Sequence, residues 1–324
     1  MQHLHYLVPG SYESVEPLRD SAMASIRMRL LPAALTLQSR GWHCSFGDQV
    51  LGEPSRVVVT KIGANGIETR QPLWLRQLEH GKQQGATVWV DYTDHHLGFV
   101  SPMSEFYRAA LGLADACTVS SHHMASLLAD VWHGPIHVVE DAIEVHTAPP
   151  KPQSDAVVTL LWFGHASNVE YLRRFLETGF EAGQEIRLIA LSNEAGLNLI
   201  TAHPIQSPAK IEILLGLWSV ETMVEAAAQA DVCIIPSDTD DPRKAAAGSN
   251  RLVTALALGL PTAADALHSY AEFKDYYTAL RSDDFQALLK SPQSFRAPVV
   301  AAQEKIVPRF AASKLGERWA TLLS

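Results

Sequence analysis

Two stretches of this sequence carry side chains whose types and spacing could do chemistry. The first runs from Ala230 to Ala264. It holds an apolar run, Val232-Cys233-Ile234-Ile235, ended by Pro236, and then a polar loop with Ser237, Asp238, Asp240, Asp241, Arg243 and Lys244. Gly248-Ser249-Asn250 follows, ahead of Arg251 and a helical pattern to Leu258. A helix start offers unpaired backbone N–H groups and the positive end of a dipole. Lys244 and Arg251 add formal charge at the same mouth, so phosphate is the guest this order predicts. The second stretch is Asp91-Tyr92-Thr93-Asp94-His95-His96, two carboxylates and two imidazoles in six residues. Three readings stand beside one another: a general base or substrate-orienting cluster, a metal site, or caps for the following helix. A metal needs three or four convergent ligands, whereas neighbours on an extended chain point to opposite faces. The base or orienting reading is preferred, and no metal is assigned.

The elements that must position these groups follow a strand-then-helix rhythm. His3 to Val8 reads as a strand, Pro9 to Tyr12 as a turn and Val15 to Asp20 as a polar loop. Ala22 to Ser39 reads as a helix with a kink or break at Pro32. Strands are expected at Trp42–Phe46, Arg56–Thr60 and Thr87–Asp91, so the rhythm to that point is β-loop-α-β-β. A helix at Met103–Leu113, a strand at Ala116–Val119, a helix at His122–Val131 capped from Ser120-Ser121, and a strand at Ile136–Val139 complete this half. Thr147 to Pro152 is the one proline-rich, polar hinge. The second half restarts with a strand, Val157–Phe163, then Gly164-His165-Ala166-Ser167-Asn168 and a helix at Val169–Thr178. Strands at Ile186–Leu191 and Ile211–Leu215 and a helix at Val220–Ala230 lead to Val232–Ile235, and Gly259 with Pro261 ends the helix beyond it. Helices are expected at Asp284–Leu289, Val299–Ile306 and Lys314–Leu323. The predicted fold class is α/β with two doubly wound domains, 1–148 and 155–305, joined by a linker at 149–154 and followed by a C-terminal helix within 306–324. In such sheets ligands bind beyond the carboxyl ends of the strands, which is where both chemical stretches fall.

Composition narrows the function. A formal charge of −9 opposes generic binding to a phosphate backbone, which calls for a basic excess or stripe, so nucleic acid is not an expected partner. Apolar runs break well before the ~18 residues of a membrane span, and the first residues lack a basic segment ahead of a long apolar core. No transmembrane segment and a cytoplasmic location are expected. Cys44, Cys117 and Cys233 are widely spaced in strand-like runs and read as buried free thiols. His122, His123, His133 and His137 have no metal-ligand spacing and read as surface or lightly packed residues. No G-x-G-x-x-G follows the first strand, which disfavours an ordinary dinucleotide enzyme.

The order Asp231-Val232, Pro236, Lys244, Ser249-Asn250-Arg251 and Ala255-Leu256-Ala257-Leu258-Gly259-Leu260-Pro261 resembles the donor segment of GT-B glycosyltransferases, above all the retaining group 1, family 4-like members. Ser25-Ile26-Arg27-Met28-Arg29 resembles their Ser-x-Arg-x-Arg element, Val58-Val59-Thr60-Lys61 a strand ending in Lys, and Asp91-Tyr92-Thr93-Asp94 their aspartate-rich turn. Ala114 to Ser121 resembles the segment before the last helices of their first domain. Glu140-Asp141-Ala142-Ile143 sits where many have Pro-Asn-Gly-Ile, and Gly164 to Asn168 resembles their first glycine loop. The resemblance implies two Rossmann-like domains facing across a cleft, the last helix crossing back to the first domain. It implies transfer of a sugar from a nucleotide-diphosphate sugar to an unknown acceptor (glycan, lipid or small molecule), with retention and without metal or other cofactor. Lys244, Arg251, Gly164, His165, Asn168, Ser249 and Asn250 would hold the diphosphate, and Ser237 and Asp238 the sugar or ribose. Asp91, Asp94, His95 and His96 would serve catalysis or orientation, with Arg27 and Lys61 reaching the cleft. One departure stands out. Two glutamates eight positions apart in many retaining members fall here on Ala246 and Thr254. A subset with Lys followed by Ser-Asn-Arg is the better likeness. A nucleotide-sugar epimerase of the same plan and a non-catalytic nucleotide- or partner-binding member are the alternative readings.

Overall fold

The structure, a computed structural model, describes residues 2–150 and 157–324. Of the linker expected at 149–154, Lys151 to Ser154 therefore lie outside the described residues. The chain divides into two compact units. One takes the chain up to Ile143 together with Ala245–Asn250 and Arg309–Ser324; the other is Glu144–Lys244 with Arg251–Pro308.

The first unit is built on strands β1 (His3–Leu7), β2 (Ser11–Tyr12), β3 (His43–Gly47), β4 (Arg56–Val59), β5 (Thr87–Tyr92), β6 (Ala116–Val119) and β7 (Ile136–Val138). They form one sheet in the order β2-β3-β1-β4-β5-β6-β7. Only β2 runs antiparallel, pairing Ser11 with Gly47 where a bare turn was expected. The chain moves outward from β1 to β3 and returns to pair β4 on the other side of β1. β1 and β4 thus flank the topological switch point of this sheet, the place where α/β sheets receive ligands. Between β4 and β5 lies a helix absent from the expected rhythm, Ile67–Gln83. Parallel strands cannot be joined by a tight turn, so β4 and β5 required such a crossover. It was hard to read because only Ile67, Trp74, Leu78 and Gly81 are buried and Pro72 lies inside it. The region expected as a polar loop forms a short 3-10 helix, Glu16–Asp20, that buries Leu18. Pro32 marks the break it predicts. A π-helical turn, Ile26–Leu30, gives way to an α-helix, Leu31–Ser39, with Pro32 in its first turn.

The helix Ala312–Leu323 packs on Leu31–Ser39 within this unit, and Gly316 lets them approach. A Cβ there would lie 2.1 Å from Thr36 Oγ1 and 2.6 Å from the Pro32 carbonyl oxygen. The carbonyl belongs to a helix backbone and cannot rotate away. Gly316→Ala is expected to lower the unfolding free energy by about 1–3 kcal/mol through overpacking, read from the urea midpoint.

A polar chain crosses β1 and β3. Ser45 Oγ lies 2.8 Å from both His3 Nε2 and His5 Nδ1, and His5 Nε2 donates to the Gly47 carbonyl at 3.2 Å. A carbonyl only accepts, so the His5 proton sits on Nε2 and the Ser45 hydroxyl donates to Nδ1. Burial pushes the His5 pKa from 6.5 down to about 4, against the Gly47 bond. A depressed histidine contributes stability that is complete above its unfolded value and lost as pH falls through the folded one. Stability is therefore expected to drop by about 3 kcal/mol between pH 6.5 and pH 4 from this residue alone. Urea unfolding at the two pH values should show that loss, and His5→Gln should remove this share of it.

The second unit carries β8 (Val158–Phe163), β9 (Glu185–Ser192), β10 (Lys210–Leu217), β11 (Val232–Ile235), β12 (Thr262–Ala264) and β13 (Thr278–Ala279). They form an all-parallel sheet in the order β10-β9-β8-β11-β12-β13. Here the chain runs outward from β8 to β10 and returns beside β8, so the switch point lies between β8 and β11. β8 and β11 are buried along their whole length, as parallel strands covered on both faces should be. The helix Val169–Thr178 buries Val169, Leu172, Phe175 and Leu176 on one stripe against them. A helix at Glu194–Thr201 was not expected, although Asn193 caps it through the Gly196 N–H. The helix Asn250–Ala257 ends in a Schellman motif, with the Leu260 N–H on the Ala255 carbonyl and that of Gly259, at φ +80°, on Leu256. Cys44, Cys117 and Cys233 are buried and free.

Candidate functional site

In the second unit the loops after β8 and β11 meet at the switch point. Gly164 leaves β8, and Ala166–Asn168 forms a single 3-10 turn before the helix Val169–Thr178. The Ser192 hydroxyl donates to the Gly164 carbonyl at 2.7 Å, and Asn193 Oδ1 accepts from the Ala166 N–H at 3.2 Å. The end of β9 thus shapes the glycine loop. His165 Nδ1 accepts from the Ser167 N–H at 3.3 Å, which makes His165 a cap of the turn. Across the switch point Lys244 Nζ donates to Asn168 Oδ1 at 2.7 Å. Lys244 thus stands at the mouth between β8 and β11, with the glycine loop opposite.

Lys244 lies in a short helix, Pro242–Ala245, where a polar loop was expected, and Asp241 just ahead of it holds that segment in place. Arg243 chelates that carboxylate through Nε at 3.0 Å and Nη2 at 2.5 Å, and the Tyr171 hydroxyl donates to Oδ2 at 2.5 Å. The Arg243 bonds, with burial opposing them, hold the Asp241 carboxyl far below the ordinary carboxylate range. It is an anion at any working pH. Asp238 accepts from Arg174 Nη2 at 3.1 Å and from the Asp240 N–H at 3.0 Å. Ser237 is buried at the end of β11. Its N–H donates to Asp265 Oδ2 at 2.9 Å, and its hydroxyl has no partner among the described residues. Arg251 lies near β11. Burial pushes the Cys233 thiol up to about 12, and the Arg251 charge pulls it the other way.

Lys244 and Arg251 group with the second unit, whereas Ser249 and Asn250, expected as donor ligands beside them, group with the first. There Asn250 Nδ2 faces Met28 Sδ at 3.6 Å. A Cβ on Gly248 would lie 3.1 Å from Asp141 Oδ2 and 3.6 Å from Ser120 Oγ. Ala246, at the first of the two glutamate positions, packs in the apolar cluster of Phe106, Tyr107 and Val119. Thr254, at the second, is buried in its helix. A carboxylate at Ala246 would be desolvated among apolar groups, which is the physical content of that departure.

In the first unit the end of β5 divides into an inner and an outer part. Asp91 is inner. Arg29 Nε donates to its two oxygens at 3.1 and 2.9 Å, Arg29 Nη2 to Oδ1 at 2.6 Å, and the Thr118 hydroxyl to Oδ1 at 2.8 Å. Arg29 is only 1% exposed and also bonds Asp141 Oδ1 at 3.1 Å and the Val139 carbonyl. Asp91 is thus engaged inside the fold, ill suited to accept a substrate proton. Burial raises the Asp141 pKa, with Arg29 opposing. Asp94 is outer, paired with Lys61 Nζ at 2.5 Å at the end of β4, beside the switch point of this unit. His96 Nε2 lies 3.9 Å from Asp94 Oδ2, its Nδ1 lies 2.9 Å from Ser101 Oγ, and its ring stacks on Tyr107 at 5.2 Å. His95 Nδ1 lies 3.3 Å from the Tyr92 hydroxyl. Burial lowers both imidazole pKa values, against Asp94 for His96 and reinforced by His123 for His95. Both rings are neutral at pH 7. Arg27 Nη1 donates to the Ser21 carbonyl, tying its turn to the end of the 3-10 helix that precedes it.

Sequence reasoning passed over Tyr171, Asn193 and Asp265, and named Asp241 without giving it a role. Asn193-Glu194 after a strand is a readable helix-start signal. Tyr171 and Asp265 are linked across 70 and 28 positions and left no local trace. Among the described residues, no three or more His, Cys, Asp or Glu side chains are arranged to hold a metal ion. Nor is any helix there long and apolar enough to cross a membrane.

No protein-family model matches the sequence, and no curated protein matches it either. Solved structures do. A sucrose-phosphate synthase from Thermosynechococcus elongatus is similar with a TM-score of 0.62 at 12% identity, over 100% of this chain and 98% of its own. An alpha-glucosyltransferase in complex with UDP is similar with a TM-score of 0.55 at 10% identity, over 100% and 98%. An alpha-glucosyltransferase in complex with UDP-glucose and DNA containing an abasic site is similar with a TM-score of 0.50 at 11% identity, over 98% and 94%. The chain has the GT-B fold, two Rossmann-like parallel α/β units.

Proposed function

We propose that this chain is a glycosyltransferase that takes a nucleotide-diphosphate sugar as donor, bound on the second unit at the switch point between β8 and β11. The observation that carries this reading is the Lys244–Asn168 contact of 2.7 Å across that point. It sets a cation opposite a glycine loop, where α/β sheets receive ligands. In the transfer, the bond from the anomeric carbon to the β-phosphate oxygen breaks and a bond to an acceptor hydroxyl oxygen forms. The hydroxyl proton passes to a base or to the departing phosphate. Charge develops on the leaving diphosphate, and fixed cations and N–H groups aimed at it lower the barrier. Lys244 and Arg251 take that role, with Gly164 and Asn168 lining the other side. Ser237, whose buried hydroxyl has no partner among the described residues, and Asp238 face the sugar or ribose. With cations in that role, the transfer is metal-independent.

On the first unit Asp94, His95, His96 and Lys61 are assigned to orienting the acceptor and receiving its proton, the neutral imidazoles being competent acceptors. Asp91 is assigned to holding Arg29. Retention is the expected outcome. The net charge of −9 argues against a nucleic-acid acceptor. One similar protein was solved with DNA, so DNA belongs among the acceptors assayed beside glycans, lipids and small molecules. The buried, carboxylate-free positions Ala246 and Thr254 favour a second reading, a nucleotide-binding member without turnover. Incubation with radiolabelled nucleotide sugars separates the two. Release of nucleoside diphosphate, undiminished by EDTA, supports the transferase. Binding with no release or transfer over long incubation supports the second reading.

A further inference from the structure

We propose that Tyr171 is the positioning residue for Lys244, acting by two separate routes. Its ring lies under the ammonium, with Lys244 Nζ 5.2 Å from the ring centroid. Its hydroxyl donates to Asp241 Oδ2 at 2.5 Å, and the Asp241 main-chain carbonyl accepts the Lys244 N–H at 2.8 Å. One route holds the head of the lysine and the other holds its backbone. Tyr171 itself is only 2% exposed, in the first turn of the helix Val169–Thr178, and is therefore fixed by the packing of that helix. Arg243 Nη2, 3.2 Å from the same hydroxyl, ties the loop to it once more.

The physical need is plain. Lysine is a point charge on a four-carbon stem, with about 2 kcal/mol of rotamer entropy to lose on being fixed. A ring face attracts a cation by about 0.5–2 kcal/mol depending on desolvation. A lysine already held over a ring loses less freedom when phosphate arrives, so affinity rises without a new contact to the ligand. The inference rests on the donor-site reading above, and one arm of its test is independent of any ligand.

That arm is acylation of lysines with acetic anhydride, the rate at Lys244 being normalised to that at Lys210, whose side chain is 81% exposed in the same unit. Tyr171→Leu should raise the normalised rate at Lys244 severalfold with no nucleotide present. Asp241→Asn, which leaves the ring in place, should raise it less. The second arm is UDP affinity by calorimetry. Tyr171→Leu should weaken binding about tenfold, Tyr171→Phe less, and Tyr171→Leu should cost nothing further in a Lys244→Met background. Circular dichroism confirms folding; should Tyr171→Leu fail to fold, Tyr171→Phe and Asp241→Asn carry both arms. An unchanged Lys244 rate in the folded variants overturns the proposal, whether or not UDP binds. Additive losses in the double variant also overturn it, since Tyr171 would then act through the fold rather than through Lys244. If the parent protein binds neither UDP nor any other nucleoside diphosphate while acylation behaves as expected, the positioning stands and the donor-site reading falls.

Discussion

Arg29→Met is expected to lower the unfolding free energy by about 3–5 kcal/mol, the cost of stranding buried carboxylates whose partner is removed. Three bonds from Arg29 reach Asp91, and others reach Asp141 and the Val139 carbonyl. Methionine fills the space of the side chain stem and replaces none of them. Urea unfolding at pH 7 reads the loss. The Asp141 carboxyl, its pKa already raised by burial, loses the Arg29 charge that opposes the rise, so its neutral form favours folding below the unfolded value and that help disappears as pH rises. The deficit relative to the parent should therefore shrink as pH is lowered toward 4. Arg29→Met combined with Asp91→Asn should recover part of the loss, because an amide tolerates burial better than an unpaired anion. A small deficit would show that Asp91 is not held as an ion pair, and one flat with pH that Asp141 is not.

Lys244→Met should reduce nucleotide-sugar turnover by about 10²–10³-fold, the usual effect of removing one donor aimed at developing charge. The side chain lies at the surface mouth of the switch point rather than in the core, so the thermal midpoint without ligand should hold. Lys244→Arg keeps the charge while moving it, and should restore only part of the rate. The loss should fall on kcat as well as KM, because the diphosphate gains charge in the transition state. A change in KM alone would mean that Lys244 binds the ground state and the transition state equally.

Much of the scaffold was legible because parallel strands announce themselves. Val158–Phe163 and Val232–Ile235 are continuous apolar runs, and Val169–Thr178 shows a clear buried stripe. The helix Ile67–Gln83 escaped because its apolar positions are sparse and Pro72 interrupts them. Lys244 was picked out by its place between a strand end and a helix start, and the structure sets it against Asn168. Asp91 read as reactive because carboxylates at strand ends often are. Its partner lies 62 positions earlier in sequence, a pairing no local spacing reports. Tyr171 looked like one more residue of an amphipathic helix, since its hydrogen bond to Asp241 spans 70 positions. Local pattern gives elements and their ends; long-range pairing decides which polar residue at an end faces outward.

The central claim is a nucleoside-diphosphate site on the second unit, and thermal stability against UDP, GDP, ADP, TDP and CMP tests it most directly. A ligand that binds only the folded state stabilises it by RT ln(1 + [L]/Kd), about 2.7 kcal/mol at a hundredfold excess over Kd. The account predicts a shift with one diphosphate, indifferent to EDTA and lost in Lys244→Met. No shift with any of the five, or a shift that Lys244→Met leaves intact, would contradict it.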